Sequence, residues 1–251
     1  SLMDENWVVS EKTEIKHMFI STLIIGFIFS YNNFTIVNWL RLTILAALAL
    51  IIGESIRKII AKRKGCETEY QLWQIKKYGI TKSAKFPIKI FNKRIKSLYI
   101  GIVLPLITIF LSIGHIKFMI IGTSQAKEII LKRVGKKYAK ITEFETAIIA
   151  LAGPLTYILL ALVFKALSLP GFEQFIEMTY LLALYSMIPL SKLDGAKIFF
   201  GSLPLYIFSA IFIIVSTVLI NSPDITLMST IFLALLTSIT IFIGYIYKTN
   251  S

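Results

Sequence analysis

The stretch "LALIIGESIRKIIAKRKGCETEY", residues 48–70, decides how this chain is read. Its first half continues a helix apolar enough to cross a membrane. Its second half is basic and polar. Gly53, Glu54 and Arg57 stand at the join, where a lipid-facing helix would carry Leu or Ile. Ionisable side chains within a membrane helix are costly, so they face a protein interior or a polar site.

The rest of the composition agrees with a membrane setting. Of 251 residues, 56% are hydrophobic, which excludes a typical soluble domain. The formal net charge is +13, as expected when Lys and Arg gather in cytoplasmic loops. Those basic residues flank apolar spans, and no nucleic-acid-reading motif accompanies them, so the expected partner is the lipid bilayer and not nucleic acid. The single cysteine, Cys66, excludes an intrachain disulfide and any multi-cysteine metal site. The first fifteen residues are polar and mixed in charge, so no secretory signal is expected.

A helical crossing takes about 20 predominantly apolar residues. Segments 16–31, 36–60, 143–168, 174–198, 202–221 and 225–247 qualify as helices. Two basic stretches, 61–96 and 127–140, are expected in the cytoplasm. Segment 97–122 lies between them and is broken by Gly101, Pro105 and Gly114. It is expected to be re-entrant, leaving on the side it entered; a true span is the alternative. The fold class is an all-α polytopic membrane protein, one integral membrane domain over 1–251. It has about six transmembrane helices plus a re-entrant segment, and both termini are cytoplasmic at a cell membrane. Glu54 lies about 18 residues, or about 27 Å, along its helix. Asp194 lies at a similar depth on the 174–198 helix, so the two carboxylates are expected to face one site.

Three motifs carry a resemblance to the site-2 protease family of intramembrane zinc metalloproteases. Leu193–Asp194–Gly195, within "YSMIPLSKLDGAKIF", is similar to the family's L-D-G, whose Asp is the third zinc ligand. "IALAGPLTYILLAL", residues 149–162, resembles its A-G-P-x-x-N, with Tyr157 in place of Asn. Gly53–Glu54–Ser55–Ile56–Arg57 stands where the family has H-E-x-x-H. The resemblance runs over about residues 36–200 and is closest to archaeal members. It implies a site-2-protease-like core, with Glu54 at the general-base position, Asp194 at the third-ligand position, and Gly153, Pro154, Tyr157 and Ser186 along a groove.

The departures matter more than the match. His at i and i+4 share a helical face and can hold Zn²⁺. Here both positions are lost, to Gly53 and Arg57. Tyr157 and Ser186 fall where the family has asparagines that handle the substrate backbone. The resemblance therefore implies a degenerate site, a pseudoprotease with no cofactor, which binds a transmembrane helix of another protein. The alternatives are an active membrane metalloendopeptidase holding zinc through unusual ligands, and a structural or lipid-binding scaffold.

Plainer readings stand beside these. Glu54 can pair with Arg57 or Lys58 on its own helix, and Arg57 can snorkel to the interface. The sharper reading is that Arg57 turns inward and bridges Glu54 to Asp194. His115 is a candidate substitute ligand or, more plainly, an interfacial residue, as His17 is. Pro154 reads as a helix-start residue. Cys66 has no assigned role.

Overall fold

A computed structural model describes residues 11–74, 88–90, 93–95, 99–128, 141–190, 192–222 and 227–250. Two antiparallel helices open the chain, α1 (Glu11–Ser30) and α2 (Ile36–Arg63), joined by a short 3₁₀ turn at Tyr31–Asn33. Thr35 caps α2 by accepting the Asn38 N–H at 3.2 Å, as a β-branched hydroxyl does at a helix start. Then follow β1 (Cys66–Leu72), a small hairpin of β2 (Ile88–Ile90) and β3 (Lys93–Ile95), α3 (Ile100–Leu111) and β4 (Gly122–Glu128). The C-terminal half is helical: α4 (Glu143–Leu167), α5 (Glu173–Ser186), α6 (Asp194–Gly201), α7 (Leu203–Ile220) and α8 (Leu227–Asn250).

Among the described residues, five helices are long and apolar enough to cross a membrane: α1, α2, α4, α7 and α8. The chain is an all-α polytopic membrane protein, with short strands as its only other regular structure among the described residues. The most buried span is α4, which packs against α2, α5, α6 and α7 and sits at the centre of the bundle. It starts at a capping box: Thr142 accepts the Glu145 N–H and Glu145 accepts the Thr142 N–H, both at 3.1 Å. Pro154 is therefore not a helix-start residue. It lies three turns inside α4, where neighbouring helices can satisfy the carbonyl that proline leaves free.

Residues 174–198, expected as one helix, form two. α5 ends at Ser186, an irregular stretch follows, and α6 begins at Asp194. Pro189 accounts for the break, since proline drives the residue before it out of the helical region. At 14 residues, α5 is shorter than an ordinary span.

Of the segment 97–122, the described residues 99–122 form an arch. β1 and β4 pair antiparallel, from Cys66 opposite Glu128 to Leu72 opposite Gly122. Beyond that ladder, Trp73 ties both feet of the arch together. Its carbonyl accepts the Gly101 N–H at 3.0 Å, and its N–H donates to the Ile121 carbonyl at 2.9 Å. α3 climbs from one foot, the chain reverses at Ile113 and Gly114 (φ 51° and 81°), and 116–121 returns without regular secondary structure. The reversal meets the α1–α2 turn, where Asn32 Nδ2 donates to the Gly114 carbonyl at 3.4 Å.

Candidate functional site

The site forms where α2, α4, α6 and β4 converge. Glu54 and Arg57 project from adjacent turns of α2, three residues apart and so on one helical face. Arg57 is among the largest fully buried side chains, at 2% exposure. Its guanidinium is turned inward: Nη1 donates to Glu54 Oε1 at 2.9 Å and Nη2 donates to Asp194 Oδ2 at 2.7 Å. The snorkelling alternative does not describe this side chain. Asp194 arrives at the first turn of α6, after the break at Pro189, so the two carboxylates meet although they do not share the helix geometry expected for them.

Three residues that sequence reasoning missed complete the cluster. Ser124 Oγ donates to Glu54 Oε2 at 2.6 Å. Thr123 Oγ1 donates to Asp194 Oδ1 at 3.2 Å, and Lys197 Nζ lies 3.1 Å from the same oxygen. Lys197 also donates to Thr123 Oγ1 at 2.8 Å and to the Ser124 carbonyl. Lys197 could have been found from its i+3 spacing to Asp194. Nothing local marks Thr123 and Ser124, because their place depends on the β1–β4 register. Two carboxylates thus face two cations in a neutral cluster, which offsets desolvation and repulsion that neither carboxylate could bear alone.

The neighbouring helix is shaped to this cluster. A methyl group added at Gly153 would overlap the Arg57 guanidinium, so only glycine leaves that space. A methyl group at Gly53 would overlap the Tyr157 ring. The large residue at 157 thus occupies the volume that the absent side chain at 53 leaves, and the two departures from the family pattern form one steric pair. Tyr157 is 4% exposed. Burial pushes the phenol of nearby Tyr70, on β1, above its ordinary range; the hydrogen bond with Ser21 only partly opposes this.

A cavity of about 40 Å³ adjoins the cluster, bounded by Glu54, Arg57, Tyr157, Ser186, Asp194 and the returning arm of the arch. One water occupies roughly 10–15 Å³ on this measure, so the cavity holds a few waters and no peptide. Ser186 spends its hydroxyl on the Ala183 carbonyl at 2.8 Å. Gly153 and Tyr157 serve as packing against α2, and Pro154 does not line the cavity. His115 is exposed at the arch reversal, with Nδ1 2.9 Å from the Ser112 carbonyl. His17 faces Tyr99 across α1, and Cys66 packs with Ala61 and Ile149.

A catalytic zinc takes three protein ligands and an open position. Among the described residues, no three His, Cys, Asp or Glu side chains come together to hold a metal. The two carboxylates present are both engaged by a permanent cation fixed between them. This donor set does not fit a zinc ion.

The long apolar helices make this a membrane protein, and a sequence relative makes it metalloprotease-like. The chain is 28% identical, over 196 residues, to a Methanocaldococcus jannaschii protein named "Putative zinc metalloprotease". That alignment covers 74% of this chain and 82% of the relative, and it fits the site-2-protease resemblance of the motifs. No family model matches the chain, and no solved structure matches it.

Proposed function

We propose that this protein is a non-catalytic member of the site-2-protease type, a pseudoprotease, which holds a transmembrane segment of another protein in the membrane without cutting it. The observation that carries this reading is the Arg57 guanidinium hydrogen-bonded to both Glu54 and Asp194. In a zinc protease the Glu of H-E-x-x-H activates a metal-bound water. Here Glu54 is the acceptor of two hydrogen bonds, from Arg57 and Ser124, and its basicity is spent on them. Asp194, at the third-ligand position, is likewise held by Arg57, Thr123 and Lys197.

The protein lies in a cell membrane, crossed by the five long helices and the shorter α5, with both termini and both basic stretches in the cytoplasm, as the Lys and Arg distribution favours. The segment 97–122 is re-entrant, a reading supported by the hydrogen bonds that Trp73 makes to both Gly101 and Ile121.

The printed name of the relative favours a second reading, an active membrane metalloendopeptidase with zinc on unusual ligands. One experiment separates the two. Protein purified without chelator is analysed for zinc and assayed on a labelled membrane-segment substrate. The pseudoprotease reading expects substoichiometric zinc and no cleavage. Zinc near one equivalent that disappears with Asp194→Asn would overturn it.

A further inference from the structure

The cavity beside the ionic cluster is closed on one side by the returning arm of the arch, residues 116–121. This arm has an unusual balance of forces. Met119, Ile120 and Ile121 are buried and line the cavity. Yet the backbone N–H and C=O groups of Phe118, Met119 and Ile120 have no hydrogen-bond partner among the described residues. The β1–β4 ladder stops below them at Gly122, and the Ser112 turn stops above them at Ile116. Buried backbone polar groups are normally paired, and the need is greater within a membrane. Among the described residues, the arm is tied by backbone groups only at its ends, Ile116 and Ile121, and side chains hold Phe118, Met119 and Ile120 between them.

Two contacts at its upper end supply that hold. Lys117 Nζ reaches Glu177 of α5 at 2.6 and 2.7 Å and lies 4.5 Å from the ring centre of Phe29 on α1. Phe118 packs on Tyr185 of α5, with ring centres 5.0 Å apart. The Lys117 and Glu177 side chains are 22% and 33% exposed, so protein does not enclose their pair and it can open. Segments with buried side chains but no backbone ladder belong to the low-stability end of a fold.

We infer that residues 116–121 form a movable strap over the ionic cavity, latched to α5 by the Lys117–Glu177 ion pair. When the latch opens, the strap swings from α5 while both feet of the arch stay fixed at Trp73. The cavity then opens laterally between the strap and α5. A partner's membrane segment would enter by this route, a consequence that rests on the proposed function; the movement of the strap does not.

The test therefore uses neither metal nor partner. Leu182 is buried on α5 and lines the cavity. A Leu182→Cys reporter, in a Cys66→Ser background, is labelled with a small methanethiosulfonate reagent in membranes. Glu177→Gln or Lys117→Gln is expected to speed labelling about threefold to fivefold, the shift that loss of one partly exposed ion pair produces. The charge-swapped double variant Lys117→Glu with Glu177→Lys is expected to return the rate to that of the parent. Equal rates in parent and single variants would overturn the strap. Fast labelling that persists in the charge swap would overturn the electrostatic latch. Zinc near one equivalent in a protein with the expected labelling pattern would overturn the proposed function and leave the strap standing.

Discussion

Replacing Arg57 with alanine tests the centre of this site directly. The substitution removes hydrogen bonds of 2.9 and 2.7 Å to Glu54 and Asp194, in a cluster where all three residues are at most 5% exposed. Each carboxylate retains a partner: Ser124 for Glu54, and Thr123 with Lys197 for Asp194. Even so, breaking a buried ion pair from one side costs about 3–5 kcal/mol, because the stranded charge stays buried. At roughly 2–4 °C per kcal/mol for a chain of this size, the expected fall in Tm is about 6–20 °C. Lys58→Ala is the control one position along α2. Its pair with Glu14 is also 2.9 Å long, but the lysine side chain is 40% exposed. The Glu14 side chain is 8% exposed but keeps the Tyr70 N–H when the lysine is removed, so this variant is expected to fall by less than Arg57→Ala, which strands two buried carboxylates. Asp194→Asn added to Arg57→Ala should recover part of the loss, since it removes one stranded charge. Arg57→Lys should fall between the two, because one ammonium cannot reproduce a planar fork serving two carboxylates. Thermal unfolding in one detergent, followed by near-ultraviolet circular dichroism, reads all four. If Arg57→Ala and Lys58→Ala fall within about 2 °C of each other, the buried bridge is not what holds α2 to α6.

Two further expectations follow from the same geometry. Restoring H-E-x-x-H with Gly53→His and Arg57→His alone should fail, since any side chain at 53 meets the Tyr157 ring. Adding Tyr157→Asn should allow zinc uptake, measured by elemental analysis, with Asp194 as third ligand; a folded triple variant that takes up no zinc would refute the steric pairing. In intact cells, His115→Cys in the Cys66→Ser background should be labelled from the side opposite to Lys62→Cys. The reason is that the arch reversal meets the α1–α2 turn, whereas Lys62 lies in the last turn of α2, at its other end. Labelling of both from one side would refute that depth for the arch.

Periodicity and composition alone reach a good part of this molecule. The long apolar runs that became α1, α2, α4, α7 and α8 are legible because a spanning helix satisfies its own backbone within a contiguous segment. Glu54 and Arg57 draw attention for the same reason: a charge within such a run needs a partner, and the sequence alone determines that one must exist. The motif around Asp194 names a candidate for it. What the sequence left undecided is which way Arg57 turns, since an arginine near a helix end can reach either the interface or the interior. Gly153 decides that, by leaving room on α4 for a guanidinium. The division of 174–198 into α5 and α6 was half visible at Pro189, but its hydropathy resembles that of one continuous span. Thr123, Ser124 and the link between Gly53 and Tyr157 were not legible at all. They depend on strand register and on the approach of helices some 70 to 140 residues apart in the chain. Volume exclusion between such distant segments exists only once the chain is packed, and that is where the identity of this site was decided.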